Sequence, residues 1–327
     1  MRFGILGTGN IARQFAEGVC GSARCEVTAV GSRSADTARG FAETYGIASA
    51  HGLYDALVND TAIDAVYVSL PNSMHHEWTI KALNARKHVL CEKPIACAES
   101  EAKDMFDTAR KRGLVLAEAF MYRSHPQTQA VLAEVAAGVI GRVKLIRASF
   151  CYSTRKIEGN VRFSTELVGG ALMDIGCYCV DLARLVTGED PESVHGVGQR
   201  HATGVDEYVS GTLAYKDGVL ASFSCGMSVQ ADNAALICGD MGYIRVPVPW
   251  KPPVEGGGYE VRTMTPPKQD GVSRMKSDER VVALPPCGPL YGMEADDLRR
   301  RCWTGMTRRC PRRTACRTCV CWTLFAV

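Results

Sequence analysis

Apolar and polar positions follow two different periods along this chain, and the change from one to the other divides it. Over the first third, short β-prone apolar runs alternate with stretches of helical spacing. Residues Arg2–Leu6, Glu26–Gly31, Asp64–Leu70, His88–Glu92 and Leu114–Glu118 predict strands, and Ala12–Val19, Ala35–Tyr45, 77–85 and Ala98–Arg112 predict helices. Runs that are apolar at successive positions suit strands buried on both faces. Their alternation with helices predicts a doubly wound parallel α/β sheet. After a helix near Gln127–Ala136 the period becomes two, in Val143–Tyr152, Ser193–His201, Tyr208–Tyr215, Gly218–Cys225, Ala234–Cys238 and Tyr243–Val246. Links such as Lys216-Asp217-Gly218 fit antiparallel pairing. The second region therefore predicts an α+β domain with one open, mostly antiparallel sheet. Residues 247–271 carry six prolines and four glycines and predict a long irregular loop.

The first strand runs into Gly7-Thr8-Gly9-Asn10-Ile11-Ala12 and then a helix. Strand, G-x-G-x-x-A turn and helix in that order give the context of a dinucleotide site and make the first domain a Rossmann domain. The first glycine makes the tight turn, the second lets a pyrophosphate reach the backbone, and Ala12 allows close helix–strand packing. The phosphates meet the free N–H groups and positive end of the helix dipole. A glycine turn with no ligand is the plainer alternative. The second strand ends in Ser32-Arg33-Ser34, where an NAD-selective site places an acid for the ribose 2′-hydroxyl. An arginine there suits a 2′-phosphate, so NADP(H) is favoured over NAD(H), although Arg33 could equally be a solvated loop residue.

Three further stretches carry candidate chemistry. Leu70-Pro71-Asn72 leaves the strand at 64–70 and leads to His75 and His76 at a helix start. Adjacent helical positions do not face each other, so one histidine near the cofactor and one at the surface is expected, and no metal site. His88 to Glu92 breaks abruptly at Lys93-Pro94. In parallel sheets ligands sit beyond the carboxyl ends of the strands, which places Lys93 at a ligand, with a solvated turn lysine as the alternative. In the helix that follows Gly169-Gly170, Asp174, Tyr178 and Asp181 stand at i, i+4 and i+7 and are expected to share a face. The plainer reading makes Asp174 a first-turn dipole partner and Tyr178 a packing residue.

Composition narrows the function. The net charge of +3 arises from the end of the chain, where residues 299–327 hold eight arginines and no acid. Without them, 30 basic residues face 35 acidic ones, a balance of −5 that offers no basic stripe for nucleic acid. No apolar run reaches the roughly 18 residues of a membrane span. The beginning lacks a secretory layout, so a cytoplasmic location is expected. Ten of the 15 cysteines are scattered through residues 1–298 and read as reduced core thiols. The other five begin at Cys302. Within them Cys310, Cys316, Cys319 and Cys321 allow a loose zinc spacing. The abrupt loss of acids and lysines instead points to a reading-frame shift near Leu298.

Together these motifs resemble the glucose–fructose oxidoreductase, inositol dehydrogenase and rhizopine catabolism family (Gfo/Idh/MocA). The likeness runs from Met1 to about Asp297. It rests on the glycine turn, on Leu70-Pro71-Asn72 with His75, on Glu92-Lys93-Pro94, and on Gly169-Gly170 leading to Asp174 and Tyr178. Glu118 to Arg123, followed by His125-Pro126, resembles the branch of dihydrodiol and NADP-dependent xylose dehydrogenases. Ser124 departs from that branch, which often has an aromatic residue there.

The resemblance implies a dinucleotide-binding domain over residues 1–121, a substrate and oligomerisation domain over 122–298, and an aberrant tail over 299–327. It implies hydride transfer between NAD(P) and a hydroxyl or carbonyl of a sugar, cyclic polyol or trans-dihydrodiol, by a homodimer or tetramer. Lys93 would hold the reacting oxygen, Tyr178 would exchange the proton, and Asp174 would orient one of these groups or the substrate. Arg123 would join them at the substrate. Gly7, Thr8, Gly9, Asn10, Ile11, Ser32, Arg33, Leu70, Asn72, His75, Glu92 and Lys93 would serve the cofactor. Free tyrosine titrates near ~10, and a neighbouring ammonium lowers that value, so a Lys–Tyr pair is physically apt for proton transfer. A non-catalytic NAD(P)-binding regulator or sugar sensor of the same fold is the alternative, and a damaged, inactive chain is a third.

Overall fold

The computed structural model describes residues 1–265 and 276–303, which fall into two compact units. The first comprises 1–124, 166–168 and 288–303, and the second 125–165 and 169–287.

In the first unit the chain alternates β1 (Arg2–Leu6), α1 (Asn10–Val19), β2 (Glu26–Gly31), α2 (Ala35–Tyr45), β3 (Ser49–His51), α3 (Tyr54–Val58), β4 (Ala65–Val68), α4 (His75–Asn84), β5 (His88–Glu92), α5 (Glu99–Arg112) and β6 (Leu116–Ala119). The strands form one sheet in the order β3-β2-β1-β4-β5-β6, every pair parallel. The order reverses between β1 and β4, so their carboxyl ends open the crevice in which such sheets take ligands. β4 is buried along its whole length, as expected of a strand covered on both faces. Its Tyr67 stacks on Phe15 of α1 at 3.9 Å between ring centres, and Phe3 of β1 meets Phe15 edge-on. β3 and α3 were not foreseen. Three residues carry too little periodicity to predict a strand.

The second unit holds α6 (Pro126–Ala136), β7 (Val143–Cys151), a π-helical turn (Leu172–Gly176), α7 (Cys177–Thr187), β8 (Ser193–Arg200), β9 (Asp206–Ala214), β10 (Leu220–Gly226), β11 (Ala235–Gly239), β12 (Gly242–Val246), β13 (Gly258–Thr265) and β14 (Lys276–Ala283). One eight-stranded sheet runs β14-β13-β12-β11-β7-β10-β9-β8, antiparallel except where β10 joins β7. The loop expected over 247–271 is corrected, because β13 lies inside it. Tyr259 and Val261 alternate inward there while Glu260 and Arg262 do not, a period-two signal obscured by the prolines and glycines around it. Among the described strands β14 pairs only with β13, and it carries Asp278, Glu279 and Arg280. Charge of this kind protects an edge strand and hides it from an apolar pattern.

The last described element, α8 (Leu290–Trp303), returns to the first unit. A Cβ added to Gly18 of α1 would lie 2.9 Å from the Tyr291 Cβ, and one on Gly292 would meet the Gly18 carbonyl. The two helices thus cross backbone to backbone. Ser22 adds a hydrogen bond to Asp296 at 2.9 Å. Residues 288–298 cluster with the nucleotide unit, as does a short strap at 166–168. The cysteines expected as a zinc alternative lie outside the described residues. Among the described residues every cysteine is free, no group of three or more metal-ligating side chains is assembled, and no helix is long and apolar enough to cross a membrane.

Candidate active site

The nucleotide side is built at the β1–α1 turn. Gly7 has φ +103 and donates its N–H to the Gly31 carbonyl at 2.9 Å. A side chain rarely adopts that conformation, and a Cβ added there would lie only 3.0 Å from the Ser69 carbonyl oxygen. Gly9 is the N-cap of α1; no side chain caps the helix and its first turn holds no acid. Its leading N–H groups are therefore available to an anion. A Cβ at Gly9 would meet nothing within 4 Å. Thr8, Gly9, Asn10 and Ile11 are open to solvent, while Gly7 and Ala12 are buried. Shape and donors both suit a pyrophosphate.

At the end of β2, Ser32 is buried and its N–H bonds the His51 carbonyl at 3.0 Å, whereas Arg33 is exposed. The Arg33 guanidinium bonds the phenol of Tyr54, whose ionisation burial still pushes above its ordinary value. Tyr54 in turn sits edge-on to Trp78 at 5.0 Å. The loop after β4 is fixed by its polar groups. Asn72 donates to the Val168 carbonyl at 2.7 Å. His75 is fully buried, with Nδ1 2.8 Å from the Pro94 carbonyl and Nε2 2.9 Å from that of Leu70. Burial outweighs these carbonyls and lowers its proton affinity. His75 therefore braces two loops from within, while half-buried His76 pairs with Asp104.

The turn that carries Lys93 is held at successive residues. Glu92 takes the Lys93 N–H at 3.2 Å, His75 meets the Pro94 carbonyl, and Glu118 of β6 takes the Ile95 N–H at 2.9 Å. The Lys93–Pro94 peptide is cis. The other Glu92 oxygen accepts from the Tyr67 hydroxyl. Both Glu92 oxygens thus face donors, the role of an ionised carboxylate. Lys93 itself remains partly exposed at the carboxyl end of β5. Beyond β6, the Arg123 guanidinium lies 4.8 Å from the Phe120 ring.

The second unit holds a cluster of its own. Gly170 has φ +114, and a side chain there would run into the Asp206 carboxylate. That carboxylate accepts the Leu172 N–H at 2.6 Å and so caps the π turn. Gly170 also donates to the Arg162 carbonyl at 2.9 Å, which brings Arg162 against the helix start. Asp174 Oδ2 then accepts from Arg162 Nε at 2.8 Å and from the Tyr152 hydroxyl at 2.9 Å. The Asp174 charge holds Arg162 more firmly protonated, and burial followed by that same charge pushes the Tyr152 phenol well up. Tyr178 is buried edge-on to Phe150 at 5.2 Å and to Trp250 at 5.9 Å.

The shared face expected for Asp174, Tyr178 and Asp181 thus crosses a π turn, whose i→i+5 bonding breaks the regular helical period. Asp181 is completely buried. Arg162, Tyr152 and Trp250 were missed. Arg162 lies in a single 3-10 turn, Val161–Phe163, too short to leave a periodic signal, and only its position just upstream of the glycine pair could have flagged it.

A doubly wound sheet with an uncapped helix at its switch point, in one chain with an antiparallel sheet carrying an oriented Asp and a Tyr, defines a nicotinamide-dependent oxidoreductase. The chain belongs to the Gfo/Idh/MocA oxidoreductase family: residues 1–120 match its NAD-binding Rossmann domain and 128–245 its C-terminal domain. A trans-1,2-dihydrobenzene-1,2-diol dehydrogenase of Xenopus tropicalis is 37% identical over 255 residues, 77% of each chain. A D-xylose 1-dehydrogenase (NADP+) of Haloferax volcanii is 37% identical over 68% of each. A 3-ketoreductase of Actinomadura kijaniata, solved with NADP and TDP-benzene, superposes with a TM-score of 0.82 at 31% identity, covering 98% of this chain and 94% of that one. The protein is an NAD(P)-dependent oxidoreductase of CH–OH groups and their carbonyls; the non-catalytic alternative is not favoured.

Proposed function

We propose that this enzyme uses NADP(H) in preference to NAD(H) to interconvert a secondary or anomeric hydroxyl and its carbonyl on a sugar, cyclic polyol or trans-dihydrodiol. The observation that carries the reading is the turn at Lys93, fixed at each residue by Glu92, His75 and Glu118 at the carboxyl end of β5. So many polar groups spent on three residues suit a side chain that must be placed accurately. The bound dinucleotide supplies the hydride acceptor or donor. The N–H groups after Gly9 hold its pyrophosphate, and Arg33 takes the 2′-phosphate. NADP in the names of the xylose dehydrogenase and the 3-ketoreductase supports that assignment.

In oxidation, Lys93 holds the substrate oxygen and Tyr178 accepts its proton, and both act in reverse during reduction. Asp174, with Oδ2 already taken by Arg162 and Tyr152, orients rather than carries the proton. Arg123 contacts the substrate's remaining hydroxyls. Residues 1–121 serve the cofactor, 122–287 the substrate and assembly into homo-oligomers, and 288–298 complete the cofactor unit. Fluorescence titration with NADPH and NADH, followed by a dehydrogenase screen over aldoses, inositols and diols, tests the reading. NADPH binding with turnover of one such class is expected. Equal or tighter binding of NADH removes Arg33 from cofactor choice, and binding without turnover of any class removes the catalytic assignment.

A further inference from the structure

Behind the Lys93 turn lies a carboxyl group that the proposed chemistry does not use. Glu294 of α8 is buried, and neither of its carboxyl oxygens has a hydrogen-bond partner among the described residues. α8 packs against α1, against the turn at Met121–Ser124 and against β5. The groups that act on Glu294 come from several elements: Glu92 of β5, Arg123 beyond β6, and Asp297 and Arg301 of α8 itself. Tyr67 of β4 faces both Glu92 and Glu294, and Tyr291 of α8 faces the same two acids. Glu92 accepts from the Tyr67 hydroxyl and the Lys93 N–H, donors that favour its charged form. A second carboxyl group in its field, buried and without donors, resists ionisation even with the Arg123 and Arg301 charges acting on it.

We propose that Glu294 is a positioning residue for Lys93: as a neutral acid within the field of Glu92 and Tyr67, it adds no further negative charge to the carboxyl groups that hold the lysine's turn. Ionisation of Glu294 places a second negative charge in the cluster. Repulsion then loosens the grip of Glu92 on the Lys93 N–H, and the extra field raises the proton affinity of the Lys93 amine. The inference rests on the assignment of Lys93 above, but its readouts do not require a known substrate. Burial and the Glu92 charge hold Glu294 well above the usual carboxylate range. A group whose folded-state value is raised stabilises the fold fully below its unfolded value, and that contribution is lost as pH rises towards the folded value.

The experiment compares the whole protein with Glu294→Gln and Glu294→Met, neither of which can ionise. Thermal melts from about pH 5 to about pH 9 give the stability difference across the linkage window. In parallel, peptide-mapped labelling of Lys93 by an amine-reactive reagent gives the labelling midpoint. Both variants are expected to gain melting temperature relative to the wild type as pH rises. Their Lys93 midpoint should fall by about half a unit or more, because a developing charge has been removed. A Lys93 midpoint unchanged in both, with a melting-temperature difference constant across pH, overturns the proposal. Opposite behaviour of Gln and Met, with no common pH trend, also overturns it, since it shows a purely steric role. Absence of turnover in the substrate screen, with these shifts present, would count against the catalytic assignment of Lys93 and leave the coupling standing.

Discussion

The role proposed for Tyr178 can be separated from its packing, because that role uses the hydroxyl alone. Tyr178→Phe keeps the ring contacts with Phe150 and Trp250, so folding and NADPH binding should be retained while turnover falls about 10²–10⁴-fold, the usual contribution of a positioned proton carrier. Lys93→Met should cost at least as much. If the two residues serve one step, the double variant should be little worse than the poorer single one, which steady-state kinetics would show. Asp174→Asn should do less damage than either, since its carboxylate is already engaged by Arg162 and Tyr152. Near-normal turnover in Tyr178→Phe would pass the proton to Asp174 or to water. For cofactor choice, Arg33→Asp should abolish or invert the NADPH preference in a binding titration, because it replaces the guanidinium with an acid suited to the free 2′-hydroxyl.

Single turns decide what the longer elements present. Gly170→Ala sets a methyl group against the Asp206 carboxylate at a φ of +114. It should destabilise the second unit by about 1–3 kcal/mol, the scale of a strained backbone position, visible as a lower denaturant midpoint. Turnover should fall with it, since the same turn sets Arg162 against Asp174. The sequence showed this helix but not its π turn, whose first N–H is held by Asp206, 34 residues after Leu172, a contact of which local periodicity carries no trace. The parallel strands were legible for the opposite reason: burial on both faces leaves uninterrupted apolar runs such as Ala65–Val68. The motifs at Gly7, Lys93 and Asp174 were visible as residue types. What holds them was not, since His75, Glu118, Arg162 and Tyr152 act through contacts distant in sequence. β13 and β14 failed as predictions because one is framed by prolines and glycines and the other is a charged edge.

At the scale of the molecule, the nucleotide unit is assembled from separated parts of the chain. Domain boundaries drawn along the sequence could not show this, because α8 has an ordinary amphipathic pattern that does not name its partner. Gly18→Val should disrupt the crossing with Tyr291 and Gly292. Overpacking of this kind typically costs about 1–3 kcal/mol. It should lower the melting temperature and weaken NADPH binding, since the start of α1 is where the pyrophosphate is proposed to sit.

The return of α8 also has a consequence in time. Residues 1–124 leave the ribosome long before Leu290–Trp303 exist, and at about 5–20 residues per second the gap is on the order of 10–35 s. During that interval the face of α1 around Gly18 has no covering helix, and Glu92 and Tyr67 have no lid. The dinucleotide unit therefore cannot mature as an N-terminal domain that folds as it emerges. It must wait, incomplete, while the whole second unit is synthesised, and a nascent chain arrested before Leu290 should be far more open to protease near α1 than the finished protein.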